Sequence, residues 1–206
     1  MKILDVTFKR KVNCSANVCK WNHWDHEHLH YTHKSFYKKT QIFYEDDRVV
    51  FVWHEMHVPL ITFLNVSTYD LTVLKDRNTV VTYGFQFGVP SCSTATYKDI
   101  SKDKCLVEVN YKFQFTGIQI LLYPLIKLMI PKWNETTWNE DLPLKLRRQK
   151  VKRMNFKDFK GLPKKVKDRK FSGKIDFKLP ITRLRRDKDL ITKHPFYNFG
   201  KKDQHI

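Results

Sequence analysis

Five of the nine histidines fall between His23 and His33. The segment reads Asn22-His23-Trp24-Asp25-His26-Glu27-His28-Leu29-His30-Tyr31-Thr32-His33. Neutral imidazole is the commonest side-chain metal ligand, and such a density of it rarely serves packing. Within the segment, Asn22, Asp25, His28 and His33 are separated by two, two and four residues. His26 and His30 stand at i and i+4, a spacing that lets two imidazoles share one helix face and chelate. They fit equally as solvent-facing polar residues. Two cysteines, Cys14 and Cys19, precede the segment, and their five-residue offset is poor for chelation on a helix. His54 lies on the apolar face of an alternating stretch and reads as a hydrogen-bonded core residue, with His57 on the opposite, exposed face.

The elements that must position these residues follow from periodicity. Residues 3–12 alternate and are rich in β-branched and aromatic types, which predicts a strand. Ser15 can cap a short helix, and residues 16–37 carry no alternation, which predicts one or two helices with a break. From 40 to 115 the pattern is an antiparallel meander, with strands Thr40–Tyr44, Val49–Val58, Ser67–Leu74, Thr79–Phe87, Cys92–Lys98 and Cys105–Phe115. Pro59–Asn65 reads as a loop, and Asp76-Arg77-Asn78 as a hairpin turn. In the fourth of these strands Val81, Tyr83 and Phe85 share one face. In the last, Val107, Val109, Tyr111 and Phe113 do. Gly117–Lys132 is apolar and helical with an interruption at Pro124, and Pro131 opens a second helical piece reaching Arg153.

Charge divides the chain. From Lys145 onward it holds 22 of the 39 Lys/Arg but 6 of the 21 Asp/Glu, so the net charge of +18 sits almost wholly in the last third. Past Lys157 the periodicity dissolves, and Gly and Pro punctuate Lys164-Lys165-Val166-Lys167 and Arg183-Leu184-Arg185-Arg186. This predicts a domain over 1–156 and a basic, loop-rich C-terminal arm over 157–206. Basic clusters suit a membrane surface, a nucleic acid or an acidic protein. No nucleic-acid-binding motif accompanies them, so nucleic acid is not the expected partner. The first ten residues lack the apolar run of a signal peptide, and four cysteines are too few for a disulfide framework in 206 residues. The expectation is a cytoplasmic or other intracellular protein, with peripheral membrane contact left open by the apolar Ile118–Ile130 stretch. That stretch is too short to span a bilayer.

The element order of strand, short helices, antiparallel strands and long C-terminal helix resembles the START-like (SRPBCC) superfamily over residues 3–155. The resemblance implies an α+β helix-grip fold, in which a curved antiparallel sheet wraps around the long helix and encloses a hydrophobic cavity. Val81, Tyr83, Phe85, Val107, Val109, Tyr111 and Phe113 would then line that cavity. The spacing Asn22-x2-Asp25-x2-His28-x4-His33 also resembles the catalytic domain of Rieske-type non-haem iron oxygenases. That resemblance implies that His28 and His33 bind mononuclear Fe(II), that Asp141 on the late helix (within Asn139-Glu140-Asp141-Leu142, followed by Gln149) is the third ligand, and that Asp25 relays electrons or orients a ligand. Two histidines and one carboxylate on one face leave the other metal positions open. No cysteine has a histidine at the offset a Rieske cluster needs. An oxygenase of this kind would therefore take electrons from a separate partner. The expected substrate is a hydrophobic, ring-containing small molecule. The alternative is a non-catalytic START-like carrier of a lipid, pigment or quinone.

Overall fold

The computed structural model describes residues 1–46, 48–58, 61–86, 88–154 and 194–196, with backbone alone for residue 58 and residues 61–64. Seven strands form one sheet: β1 (Lys2–Val12), β2 (Tyr37–Glu45), β3 (Val49–Val58), β4 (Ile61–Asp76), β5 (Thr79–Gln86), β6 (Val89–Ser101) and β7 (Lys104–Phe115). Their spatial order is β1-β7-β6-β5-β4-β3-β2, antiparallel throughout. The first strand in sequence thus closes against the last, and the segment between β1 and β2 must cross the whole concave face. That segment holds α1 (Ala16–Trp24), a 3-10 turn (His26–His28) and the short α2 (Leu29–Thr32). After β7, a 3-10 turn (Gly117–Leu122) leads into α3 (Tyr123–Arg153), which lies over the same face.

The alternation in β7 explains the core. Cys105, Val107, Val109, Phe113 and Phe115 are buried, and β1 meets them in register through Val12↔Cys105 and Leu4↔Phe113. At one end of the concave face, Val12, Val50, Val52, Leu74, Val80 and Ala95 pack against α1 and against Trp138 and Leu142 of α3. At the other, Leu4, Phe113 and Phe115 pack against Ile126 and Ile130. Helix α3 runs unbroken through Pro131 and Pro143, so the second helical piece expected at Pro131 is a continuation of the first. A proline inside a helix costs about 3 kcal/mol. Ile126 and Ile130 are fully buried and each returns about 1.5–3 kcal/mol, and with the partly buried Tyr123, Trp133, Trp138 and Leu142 they offset the local loss.

Strand β5 departs from expectation. Val81 and Tyr83 face away from α3, in an outer cluster with Val49, Phe51, Leu71 and Val73, covered by Phe196. Phe85 is on that side too, edge-on to His194. The His194 ring donates from Nε2 to the Gly84 carbonyl at 2.7 Å. These three residues therefore cannot line the cavity; Val80 and Thr82 hold the inner positions. Because the outer face is covered, β5 is apolar on both sides, and alternation alone cannot tell inner from outer. Strand β4 also begins earlier than expected, at Ile61, replacing most of the predicted loop. The predicted arm falls outside the described residues except for 194–196. Ile118, Leu121 and Leu128, read as part of the grip helix, are exposed. Among the described residues, no helix is long and apolar enough to cross a membrane.

One close approach fixes β4 against β5. Asp70 pairs with Gly84, and a Cβ at Gly84 would lie 1.8 Å from Asp70 Oδ1 and 2.9 Å from the Tyr69 carbonyl oxygen. Gly84→Ala is therefore expected to lower stability by about 2–3 kcal/mol, read as a lower urea midpoint at unchanged slope. A midpoint equal to wild type would contradict this packing.

Candidate metal centre and its pocket

His28 ends the 3-10 turn and His33 follows the last residue of α2, so two tight turns aim both imidazoles at one point. That point is Asp141, on the sheet-facing side of α3. Its Oδ1 lies 3.1 Å from His28 Nε2 and 3.0 Å from His33 Nε2. One ligand atom from each of the three residues lies within 4.8 Å of the others. The His28 and His33 ring centroids are 5.4 Å apart. His33 is buried, and the side chains of His28 and Asp141 are 13% and 15% exposed.

The outer atoms of each ring decide what the inner ones present. His28 Nδ1 hydrogen-bonds the backbone carbonyl of Asp25, which a carbonyl can accept only if Nδ1 carries the proton. In the neutral ring Nε2 then offers a lone pair. The Asn22 amide nitrogen stands 3.5 Å from it as a donor. His33 Nδ1 donates to Glu140 Oε2 at 2.6 Å, leaving its Nε2 as the inward atom. Two imidazole lone pairs and a carboxylate oxygen thus converge. Such a set is mutually repulsive unless a cation or protons sit among its members. This donor set fits a divalent metal held by two histidines and one carboxylate.

Protons compete with a cation for the same inward atoms. Burial works against charge on Asp141, but the His28 and His33 hydrogen bonds and the Lys145 ammonium outweigh it and hold the carboxyl well below the usual carboxylate range. Burial likewise opposes charge on His33, and the Asp141 and Glu140 carboxylates overcome it and raise the imidazole above its ordinary value. Lys145 Nζ bonds the other oxygen, Asp141 Oδ2, at 3.0 Å and stands 3.7 Å over the Trp138 ring. Glu140 and Lys145 were not anticipated from the sequence, although Lys145 lies four residues after Asp141, one helix turn on along the same face, and Glu140 directly precedes Asp141 and reaches the other ring nitrogen of His33. Asp25 also differs from expectation. Its backbone carbonyl, not its carboxylate, touches His28, and its carboxylate acts on Arg148 by charge.

The cluster opens on a pocket of about 150 Å³ between sheet and helix, lined in part by Tyr37, Asp70, Tyr97, Tyr111, Trp133 and Trp138. Of the seven cavity residues expected from the sequence, Val109 and Tyr111 line it. Val107 and Phe113 belong to the packed clusters on either side. The lining is mixed, not purely apolar. Tyr97 donates its hydroxyl to His23 Nδ1 at 2.8 Å, and burial pushes His23 down to about 4. His26 is buried against His54, with ring centroids 6.1 Å apart, so it forms neither an exposed residue nor a helical pair with His30. His54 bonds Thr40 Oγ1 through Nδ1 at 3.0 Å, as a core histidine should.

No protein-family model matches the chain, and no curated protein matches it. Solved structures do. The Zhui aromatase/cyclase from Streptomyces sp. R1128 is 10% identical, covering 71% of this chain and 96% of its own at a TM-score of 0.62. A START superfamily protein from Mycobacterium smegmatis is 13% identical over 69% of this chain and 97% of its own, TM-score 0.52. Human STARD10 is 11% identical over 76% and 69%, TM-score 0.54. At such identities the likeness is one of fold, and the fold is START-like helix-grip. Nothing in these comparisons supports the Rieske-type resemblance, which rests on the residues alone.

Asp70, on the pocket wall, supplies a measurable consequence. Burial pushes its carboxyl up to about 7, and burial pushes the neighbouring His54, 3.5 Å away, down to about 3. The pair is therefore a neutral imidazole beside a carboxyl that titrates near neutrality. Since the folded state holds the Asp70 proton more tightly than the unfolded chain, this group favours folding below about pH 4, and the benefit is lost as pH rises toward 7. Asp70→Asn cannot lose that proton. Its stability relative to wild type should rise by about 2–3 kcal/mol between pH 5 and pH 8, measured by urea unfolding. Parallel pH profiles for the two proteins would refute the assignment.

Proposed function

We propose that this chain is a START-like small-molecule-binding domain whose pocket carries one divalent metal ion on His28, His33 and Asp141. The observation that supports the reading is the convergence of those three donors, 108 residues apart in sequence between His33 and Asp141, with each histidine's far nitrogen already engaged. Glu140 and the Asp25 carbonyl fix the ring orientations, as groups bonded to the far side of metal-binding histidines do. Lys145 holds the second carboxylate oxygen and so favours one-oxygen ligation. The nitrogen, nitrogen, oxygen set suits Fe(II). Bound there, Fe(II) would supply oxygen-activating redox chemistry to a compact substrate in the pocket. Tyr37, Tyr97, Tyr111 and Trp133 would orient that substrate and exclude water. Electrons would come from a separate donor protein.

A second reading is a START-like carrier of a lipid, pigment or quinone without chemistry. The comparisons favour it, since the solved structures that share the fold include a START superfamily protein and human STARD10. The pocket's size bears on the choice. Drug-sized ligands occupy about 300–1,000 Å³, against about 150 Å³ here, so a carrier of bulky lipid would need α3 or the 25–33 segment to shift. Peripheral membrane contact and the division into a 1–156 domain and a 157–206 arm stand as further proposals.

Protein purified without oxygen and titrated with Fe(II) should bind about one ion per chain, and His28→Ala or Asp141→Ala should bind markedly less. Binding should weaken as pH falls, because both imidazoles must be unprotonated to ligate, and the raised His33 value places the onset above the ordinary imidazole range. Equal, negligible iron in wild type and His28→Ala, together with a co-purified apolar molecule in native mass spectrometry, would replace this reading with the carrier.

A further inference from the structure

A second convergence borders the same pocket, which Cys19 also lines. Cys14 precedes α1, Cys19 lies within it, and Cys105 sits at the start of β7 beside Val12 of β1. Cys14 Sγ is 3.2 Å from Cys19 Sγ, and Cys105 Sγ is 3.5 Å from Cys19 Sγ. All three sulfurs lie within 4.8 Å of one another. All three residues are buried, and all are free thiols. A metal bonded to three thiolates at about 2.3 Å sets the sulfurs roughly 3.8–4.0 Å apart, so the cluster needs shifts of well under an ångström to close on an ion.

Cations stand close by. Lys145 and Lys152 both act on Cys14 by charge. Lys152 Nζ is anchored 2.9 Å from Ser15 Oγ, next to Cys14. The wall is also rigid. Ser15 N–H donates to Gln149 Oε1 at 3.1 Å and Ala16 N–H to Asp99 Oδ1 at 2.7 Å, tying the start of α1 to α3 and to β6. Three preplaced soft donors with two cations close by match a soft ion and not a hard one.

We propose that Cys14, Cys19 and Cys105 form a second, three-thiolate site for a soft d10 cation of the Zn2+ and Cu+ class, distinct from the His28–His33–Asp141 cluster. Binding displaces the thiol protons to solvent and involves no electron transfer. It clamps the β1–α1 connection, α1 and β7 together, the three segments that carry the sulfurs. The site is independent of the metal assignment at Asp141, because His28→Ala leaves every sulfur in place.

The test uses full-length, reduced protein and Cd2+ as probe. Wild type and His28→Ala should both develop a thiolate-to-cadmium absorption band that saturates at one Cd2+ per chain. Cys105→Ser should lose the band. One equivalent of Zn2+ or Cu+ added beforehand should suppress it, and the more effective ion identifies the natural class. X-ray absorption on His28→Ala loaded with one equivalent of Zn2+ needs no cysteine variant and should read three sulfur neighbours at about 2.3 Å. No band in wild type, a band retained in Cys105→Ser, or a zinc shell of nitrogen and oxygen alone would overturn the site. So would a wild-type mass two hydrogens low under air-free purification, with peptide mapping that places the disulfide among Cys14, Cys19 and Cys105.

Discussion

A carboxylate set between sheet and helix must be compensated, and the arrangement around Asp141 follows from that need. An unpaired charge at such a position costs several kcal/mol even after relaxation. Here compensation comes from both layers. His28 and His33 reach Asp141 from the segment crossing the sheet, and Lys145 reaches it from the next turn of α3. The crossing segment must then run as short turns instead of one long helix, because a continuous helix from Ala16 could not present residues 28 and 33 to a single point. The break after Trp24, the 3-10 turn and the four-residue α2 are the local form of that demand.

The rest of the concave face is organised around this centre. Apolar clusters seal its two ends, one under α1 and one under the start of α3. Between them lie groups that a packed core would not tolerate without ligands, water or protons: Asp70, whose carboxyl titrates near neutrality, the buried His26, and the Tyr97–His23 pair. Both ring nitrogens of His26 and Asp70 Oδ1 are buried without a hydrogen-bond partner among the described residues. Each such group costs about 1–3 kcal/mol. His26 and Asp70 both line the pocket, and this is what a binding site looks like when its occupant supplies the missing partners.

Much of this was legible before any coordinates. The alternation of Cys105–Phe115 placed β7 and its inner face, since a strand half-buried between a helix layer and its neighbours must alternate. The Rieske-type resemblance carried by the spacing around His28 and His33 implied Asp141 as their partner, and the structure sets these three residues side by side. Other features were hidden for physical reasons. Val81, Tyr83 and Phe85 read as cavity wall because β5 is apolar on both faces, and only the packing of Phe196 and His194 against the outer face shows which is which. Pro131 read as a helix start because local propensity disfavours it, whereas burial of Ile126 and Ile130 carries the helix through. Cys105 could not be joined to Cys14 and Cys19, since strand register, not spacing, brings it there.

The sequence by itself determined the kinds of chemistry present and the periodicities that make a seven-stranded sheet with a covering helix. It also determined that His28 and His33 lie close enough along the chain to share a target. What only the tertiary structure decided is which atoms face inward. The Asp25 carbonyl and the Glu140 carboxylate take the Nδ1 protons, leaving both Nε2 lone pairs turned toward Asp141. Hydrogen-bond direction at an imidazole depends on partners from other elements, and no spacing rule along one segment contains them.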